Sequence, residues 1–483
     1  MKITKKLFST AIVCCLCVNC LFAGGILTNT NQSAHFLRNP ARGASMEIDA
    51  VYTNPAGLAK LSRDGFHFTL NNQSAFQTRT ITSAFRGFSL SGGDTKVFEG
   101  KTTALVIPSF MAAYKTGDWV FSGSVAIVGG GGSLTFDKGL PSFEALVLNT
   151  QGFGTSLQII NSLGSHFGIS PQLGYSLDMS LKGNSMILGT QLGATYAIND
   201  MFSVFAGARL AFVNNGYVGY LNNVRVTNAN EMRTGLLAVA NQLENAGQLE
   251  NVSTLRQAAG NILLLEQGVA ATNLSIDVTQ KGMGITPIIG FNFNWDRLNV
   301  GVKYEFITKI EVENSKESIN STPMADFDPG VRTPHDIPAF LAIGAQYDIL
   351  PCVTISTGYH HFFDSNAKMA NNKQEYINGG INEFLLGAEW RINPKFLVSA
   401  GGQLTRSGVT DNYQTDLSYS LNSYSIGFGG AMNVTEKVRI NAGYFFTVFE
   451  DWTDKTVHYG YTPPMNTYAR TNNVFGVGVD FRF

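Results

Sequence analysis

Phe475-Gly476-Val477-Gly478-Val479-Asp480-Phe481-Arg482-Phe483 brings the chain to its end on an aromatic residue. In an extended strand Phe475, Val477, Val479, Phe481 and Phe483 share one face, and Gly476, Gly478, Asp480 and Arg482 the other. The same period of two recurs upstream. Leu298, Val300, Val302, Tyr304 and Phe306 alternate with Asn299, Gly301, Lys303 and Glu305. Phe384, Leu386, Ala388 and Trp390 alternate with Glu383, Gly387, Glu389 and Arg391, and Val438, Ile440, Ala442, Tyr444 and Phe446 with Arg439, Asn441 and Gly443. A soluble sandwich alternates too, so no single strand settles the class.

The connections do. Short ones fall at Lys115–Asp118, Asn199-Asp200, Asn294–Asp296, Asp348–Pro351, Asn393–Lys395 and Asn433–Glu436. Long ones cover roughly 78–101, 130–184, 215–275, 313–334, 363–379, 407–416 and 449–471. Six short turns taking turns with seven long loops predict fourteen strands, with both ends of the sheet on one side. That is the pattern of a transmembrane antiparallel β-barrel, which leaves no open edge in lipid. Phe167 to Ser180 is also strand-like, and this reading leaves it inside a long loop. The final strand resembles that of bacterial outer-membrane proteins, whose last aromatic is read by the barrel-assembly machinery.

Composition agrees. Asp, Glu, Lys and Arg make up 14% of the 483 residues, against about 25% in soluble chains. Glycine is abundant at 51, and the net charge of −1 provides no basic field for nucleic acid. Residues 1–23 read as a signal peptide, with Lys2, Lys5 and Lys6 ahead of an apolar run from Leu7 to Phe22 and cleavage near Ala23. Four of the five cysteines lie in it, so the mature chain keeps only Cys352 and no thiolate metal site is expected.

Residues 24–64 do not alternate over any barrel-length stretch, and the barrel itself is expected over 65–483. The segment holds Arg42-Gly43-Ala44, Asp49 and then Val51-Tyr52-Thr53-Asn54-Pro55-Ala56-Gly57-Leu58. Asn before Pro, with Gly two places on, predicts a tight turn. A Gly-Ala pair, an acid, then an aromatic and N-P-A-G-L just ahead of the first strand resembles the FadL/TodX-type family. These are outer-membrane transporters of long-chain fatty acids and other hydrophobic compounds. Pro287-Ile288-Ile289-Gly290-Phe291 and Asp336-Ile337-Pro338 through Gly344-Ala345-Gln346-Tyr347 look like the family's proline-bearing descending strands.

The resemblance implies a fourteen-stranded barrel plugged by an N-terminal hatch, with Gly43, Asp49, Asn54, Pro55, Ala56 and Gly57 as the hatch motif. It further implies passive, hatch-gated diffusion from an outer groove to a pocket, and a side exit at a kinked third strand. Here the third strand is Trp119 to Val128, running into Gly129-Gly130-Gly131-Gly132. The family's Pro-Phe-Gly is missing at that point. Four glycines weaken the ladder and permit a kink all the same. Pro108, Pro287 and Pro338 each sit inside a membrane-strand pattern, where bulges or openings are expected.

Within the third long loop, apolar residues from Met232 recur at helical spacing and break near Gly247, predicting two amphipathic helices. Leu236, Leu243, Leu249 and Leu255 on that stripe are the candidates for an outer hydrophobic groove, or for a face packing the two helices together. Lys303, Glu305, Glu389, Arg391 and Arg439 point inward, to touch a ligand head group or to hold the hatch.

A lipid hydrolase would need a serine beside a histidine. His360-His361 with Asp364 and Ser365 is the conspicuous cluster, but adjacent strand residues face opposite ways. A general porin for small polar solutes is the nearer alternative, and it would lack a plug. The expected partners are hydrophobic small molecules, outer-membrane lipids and the assembly machinery. No nucleic acid, cofactor, metal or catalytic residue is expected, and the expected state is a monomer.

Overall fold

The computed structural model describes residues 26–270, 273–319, 328–455 and 465–483, so the expected signal peptide lies outside the described residues. Fourteen antiparallel strands close into a barrel. They are β1 Gly65–Ala84, β2 Thr95–Thr116, β3 Trp119–Phe136, β4 Gly174–Ala197, β5 Phe202–Thr227, β6 Leu274–Trp295 and β7 Leu298–Glu305. After these come β8 Phe340–Leu350, β9 Val353–Phe362, β10 Asn382–Arg391, β11 Phe396–Arg406, β12 Ser423–Asn433, β13 Val438–Phe449 and β14 Met465–Arg482. Each pairs with its chain neighbours, and β14 pairs with β1 from His67–Arg482 to Ala84–Met465.

Burial follows the alternation with the apolar side outward. In β10, Glu383, Leu385, Gly387 and Glu389 are buried while Phe384, Leu386, Ala388 and Trp390 are exposed. Leu386 is 62% exposed and Glu383 0%, the reverse of a soluble core. Lipid is the only solvent for such a wall. Trp119, Trp295, Tyr347, Trp390 and Phe396 ring the short-turn edge as exposed interfacial aromatics. Phe483 joins that ring, its amide donating to the Phe66 carbonyl and its side chain stacked near Phe68 and Phe481.

On the long-loop edge the ladder runs further than the sequence suggested. β4 and β5 reach 24 and 26 residues, against about 9–11 needed to cross lipid. Both ends of what was expected to be loop within 130–184 and 215–275 are therefore paired strand, and the strand-like stretch after Phe167 enters β4 at Gly174. Beyond the hydrocarbon layer a hairpin needs no lipid-facing alternation, so hydropathy loses it while the hydrogen bonds continue.

A helical layer covers this edge: α3 Pro141–Asn149, α4 Phe153–His166, α5 Ala229–Asn245 and α6 Val252–Ala270, the earlier α1 and α2 being Ala34–Arg38 and Ala50–Thr53. α5 and α6 are the pair expected from the sequence, separated at Gly247, whose φ of +73° favours glycine. Leu236 and Leu255 are fully buried in the layer's own core with Met232, Leu157 and Ile262, and Leu243 packs against it. Along this stripe the helices pack into the layer, the second of the two arrangements the sequence left open. Leu249 alone of the four is exposed.

Candidate functional site

The 26–61 segment lies among the inward-facing side chains of the barrel, nearly all of it buried. Its Asn54-Pro55-Ala56 stretch joins α2 to a 3-10 helix, Pro55–Lys60. Asn54 sits at φ −147°, ψ 70°, outside the helical region, as a following proline requires. The Gly57 amide closes the turn on the Asn54 carbonyl at 2.8 Å. Three strands then hold the motif residue by residue. The Asn54 side-chain amide donates to Ser45 O at 3.0 Å and to Asn292 Oδ1 on β6 at 2.8 Å. Thr195 on β4 donates to Pro55 O, and Ser203 on β5 to Ala56 O, both at 2.7 Å. Asn292 in turn exchanges hydrogen bonds with Asn299 on β7, which donates to Ala44 O at 2.9 Å.

Gly43 marks the closest approach to the wall. A Cβ there would stand 3.1 Å from the Gly344 Cα, and Gly301 lines the same contact. Only paired glycines let two backbones pass so near.

Charge fixes the first half of the segment. Arg42 grips Asp49 through Nε and Nη2, each at 2.7 Å, and reaches Glu47 at 2.8 Å and Glu389 on β10 at 3.2 Å. Arg38 pairs with Glu389 at 2.5 Å, Arg439 on β13 with Glu47 at 2.5 Å, and His35 with Asp480 on β14 at 3.1 Å. Burial alone would raise the Asp49 carboxyl, yet Arg42 and then His35 outweigh it and hold it below the ordinary range. Glu389 and Arg439 therefore hold the segment. Lys303 bonds Glu305 and the Tyr52 carbonyl, each at 2.7 Å, and Glu305 also receives Arg209. Arg391 lies exposed at the turn edge, bonded to the Pro351 carbonyl. The space left between Tyr52, Lys303 and Phe340 is only about 10 Å³, room for one water at most.

The ladder of the wall is interrupted. β2 and β3 pair at Lys101–Thr135 and again from Ser109–Ala126, with no ladder between. On the β3 side of the gap lie Gly129 to Gly132, and the register against β4 slips there twice. Gly130 and Gly131 take φ +66° and +114°. Pro108, which has no N–H to give, bounds the gap on β2. The orphaned β3 carbonyls find donors in the N-terminal segment. The Asn29 backbone amide bonds Val128 O at 2.8 Å, its side chain bonds Gly130 O at 3.0 Å, and Gln32 bonds Ile127 O at 3.0 Å. Ser109 on β2 completes the seal by donating to Gln32 O at 2.5 Å.

A second irregularity carries the other two prolines. β7 stops at Glu305 and resumes as an outer segment, Glu311–Ile319. Its partner strand likewise has a short outer piece, Arg332–Pro334, before β8. Toward the seventh strand β6 loses its ladder between Lys281 and Ile288, where Pro287 sits, while its ladder with β5 is unbroken, and Pro338 lies in the break of the eighth strand.

The upper end of the segment is tied to a loop. Ile26 and Leu27 pack with Phe362, Met369, Ile377 and Tyr413. Asp364, fully buried, accepts the Ile381 amide at 3.0 Å. Burial pushes its carboxyl up to about 7, against the opposing pull of the Ile381 and Ile26 amides. His360 faces the lumen and bonds Glu383, while His361 faces outward and bonds Asn382, each at 2.9 Å. Ser365 contacts Asn366 and the Gly379 carbonyl, so this cluster contains no serine–histidine pair.

Sequence reading found the N-P-A turn and the glycine run but not Asn29, Gln32, Arg38 or His35. The signal was present in Asn29-Thr30-Asn31-Gln32-Ser33, an uncharged polar run with no reason to be buried unless its amides meet free backbone.

No family profile and no curated protein matches this chain. Among solved structures, a Pseudomonas aeruginosa FadL homologue is similar over 95% of this chain and 99% of its own, with a TM-score of 0.59 at 12% identity. The P. putida toluene transporter TodX is similar over 90% and 94%, with a TM-score of 0.53 at 15% identity. At such identities the likeness is one of fold. The architecture is that of a bacterial outer-membrane β-barrel, and neither counterpart is named as an enzyme.

Proposed function

We propose that the chain carries hydrophobic small molecules across the outer membrane by passive diffusion, with the segment ahead of β1 acting as a hatch. One observation carries the reading. The gap between β2 and β3 is closed by backbone and side-chain amides of the segment and not by a strand. A wall sealed by movable amides can open toward lipid without breaking the barrel, and an apolar solute leaving sideways never meets water. One counterpart is a toluene transporter, which agrees with an apolar cargo. Long-chain fatty acids and hydrocarbons are the candidate substrates.

Vesicles holding the purified full chain test this with a radiolabelled long-chain fatty acid and with toluene. Uptake should exceed that of empty vesicles and fall when Asn54 and Pro55 are both replaced by alanine. A large steady single-channel conductance in the unaltered protein, with no uptake of either compound, would make it a porin. Deleting most of 24–64 should raise conductance for small polar solutes. Unchanged conductance would mean that the segment does not plug the lumen.

A further inference from the structure

Where the seventh and eighth strands break, the outer surface of the barrel is hollowed. The recess, about 1250 Å³, is lined by Phe212, Met283 and Ile307 below and by Lys281, Lys309 and Lys368 above. Phe212 and Met283 are outward-facing wall residues, 41% and 63% exposed, so the hollow opens to the membrane and not to the lumen.

Its depth follows from strand geometry. A strand rising about 3.3 Å per residue at a tilt near 40° climbs roughly 2.6 Å per residue. Met283, the register partner of Phe212, lies twelve residues above the turn-edge Trp295, and Lys281 fourteen. Phe212 and Lys281 therefore stand about 31 Å and about 36 Å above the lower aromatic ring, against a hydrocarbon core about 30 Å thick. Phe212 meets the top of the acyl chains, and Lys281 lies in the head-group layer.

The cations there are unspent. Among the described residues Lys281, Lys309 and Lys368 make no ion pair, whereas Arg332 in the same lining is paired with Glu313 at 3.0 Å. Asp336 is engaged by the Ile310 and Lys368 amides at 2.9 and 3.2 Å, leaving Glu311 as the only uncommitted carboxylate of the lining. Those two bonds also do a positioning job. They tie the loop bearing Lys368 to the strand end bearing Lys309, so that two lysines from distant parts of the chain share one rim.

We propose that this recess binds a phosphate-bearing lipid of the outer leaflet. Its acyl chain lies along Phe212, Met283 and Ile307, and its phosphate is held by Lys281, Lys309 and Lys368. Three ammonium groups over a greasy floor, at the height where acyl chains give way to head groups, match an anionic amphiphile in both chemistry and order. The site faces away from the lumen and is independent of any transported solute.

The experiment uses the full chain in neutral maltoside micelles, titrated with bisphosphorylated lipid A and read by native mass spectrometry. One bound lipid is expected. The triple variant K281Q/K309Q/K368Q should bind on the order of a hundredfold more weakly, from roughly fivefold per lysine near an anionic surface. A double variant at the opposite edge, K395Q/K437Q, should bind as before. Heat-modifiable migration of each variant confirms that the barrel is intact. Undiminished binding by the triple variant would overturn the site. Equal binding of dephosphorylated lipid A would overturn the role of the phosphate. Full competition by millimolar inorganic phosphate alone would make it an ion site and not a lipid site.

Discussion

Asn29 donates its side-chain amide to the Gly130 carbonyl at 3.0 Å, a residue near the start of the described chain standing in for a missing strand partner. The bond links two weak points: a segment without strand structure and a glycine run that cannot keep its register. Each supplies what the other lacks, and the barrel wall there is only as firm as that exchange.

Replacing Asn29 and Gln32 together by alanine should therefore loosen the seal and not the barrel. Two buried carbonyls lose their donors, at roughly 1–3 kcal/mol each. Hydrogen exchange should quicken in residues 26–33 and in 127–134 while β9 to β12 stay protected. Unchanged protection in 127–134 would show that the β3 carbonyls do not depend on the segment.

Arg42→Met should cost more, about 3–5 kcal/mol, because it leaves Asp49 buried without its bidentate partner. The loss should appear as trypsin or chymotrypsin cleavage within 26–61 in a barrel that still migrates as folded. Adding Asp49→Asn should recover part of it. A double variant no better than the single would place the role of Arg42 with Glu47 and Glu389 instead.

Asp364 makes the upper anchor sensitive to pH. Its folded pKa of about 7 is raised above the unfolded value near 4, so the native state holds the proton longer. Stability from this group is full below about pH 4 and declines as pH rises toward about 7, levelling beyond it. Exchange of the Ile26 and Leu27 amides should accordingly quicken from pH 5 to pH 8 beyond the intrinsic base catalysis. Asp364→Asn should flatten that excess, and persistence of the excess in the variant would assign it elsewhere.

Removing Phe483 takes an amide from the Phe66 carbonyl and a ring from the stack with Phe68 and Phe481. Assembled, heat-modifiable barrel should fall in cells. If assembly is untouched, the terminal aromatic has no part in it.

The barrel was legible because lipid forces every crossing strand to alternate, and strands such as Leu298–Glu305 and Asn382–Arg391 carry that pattern openly. Strand ends were not. β4 and β5 continue beyond the bilayer, where pairing persists but hydropathy carries no message. The site was half legible. Asn54-Pro55 announces a turn because its backbone constraint is local, and Gly129–Gly132 announces a weak ladder for the same reason. Asn29 and Gln32 gain their meaning from carbonyls about a hundred positions away, a distance that no local pattern spans. The helix stripe shows the converse case. Periodicity located the apolar face through Leu236 and Leu255 but could not say what covers it, and a second helix does.

The seam between β1 and β14 has a consequence for the order of events during folding. β1 begins at Gly65, directly after the buried 26–61 segment, yet its partner is β14, the last of the fourteen strands in chain order. His35 also meets Asp480 on that last strand. The contents must consequently be loaded while the cylinder is still an open sheet, since a wall zipped from His67–Arg482 to Ala84–Met465 admits no later entry of a folded filling. A chain that zips up with its first residues outside is a dead end, and escape requires unzipping its longest-range strand pairing.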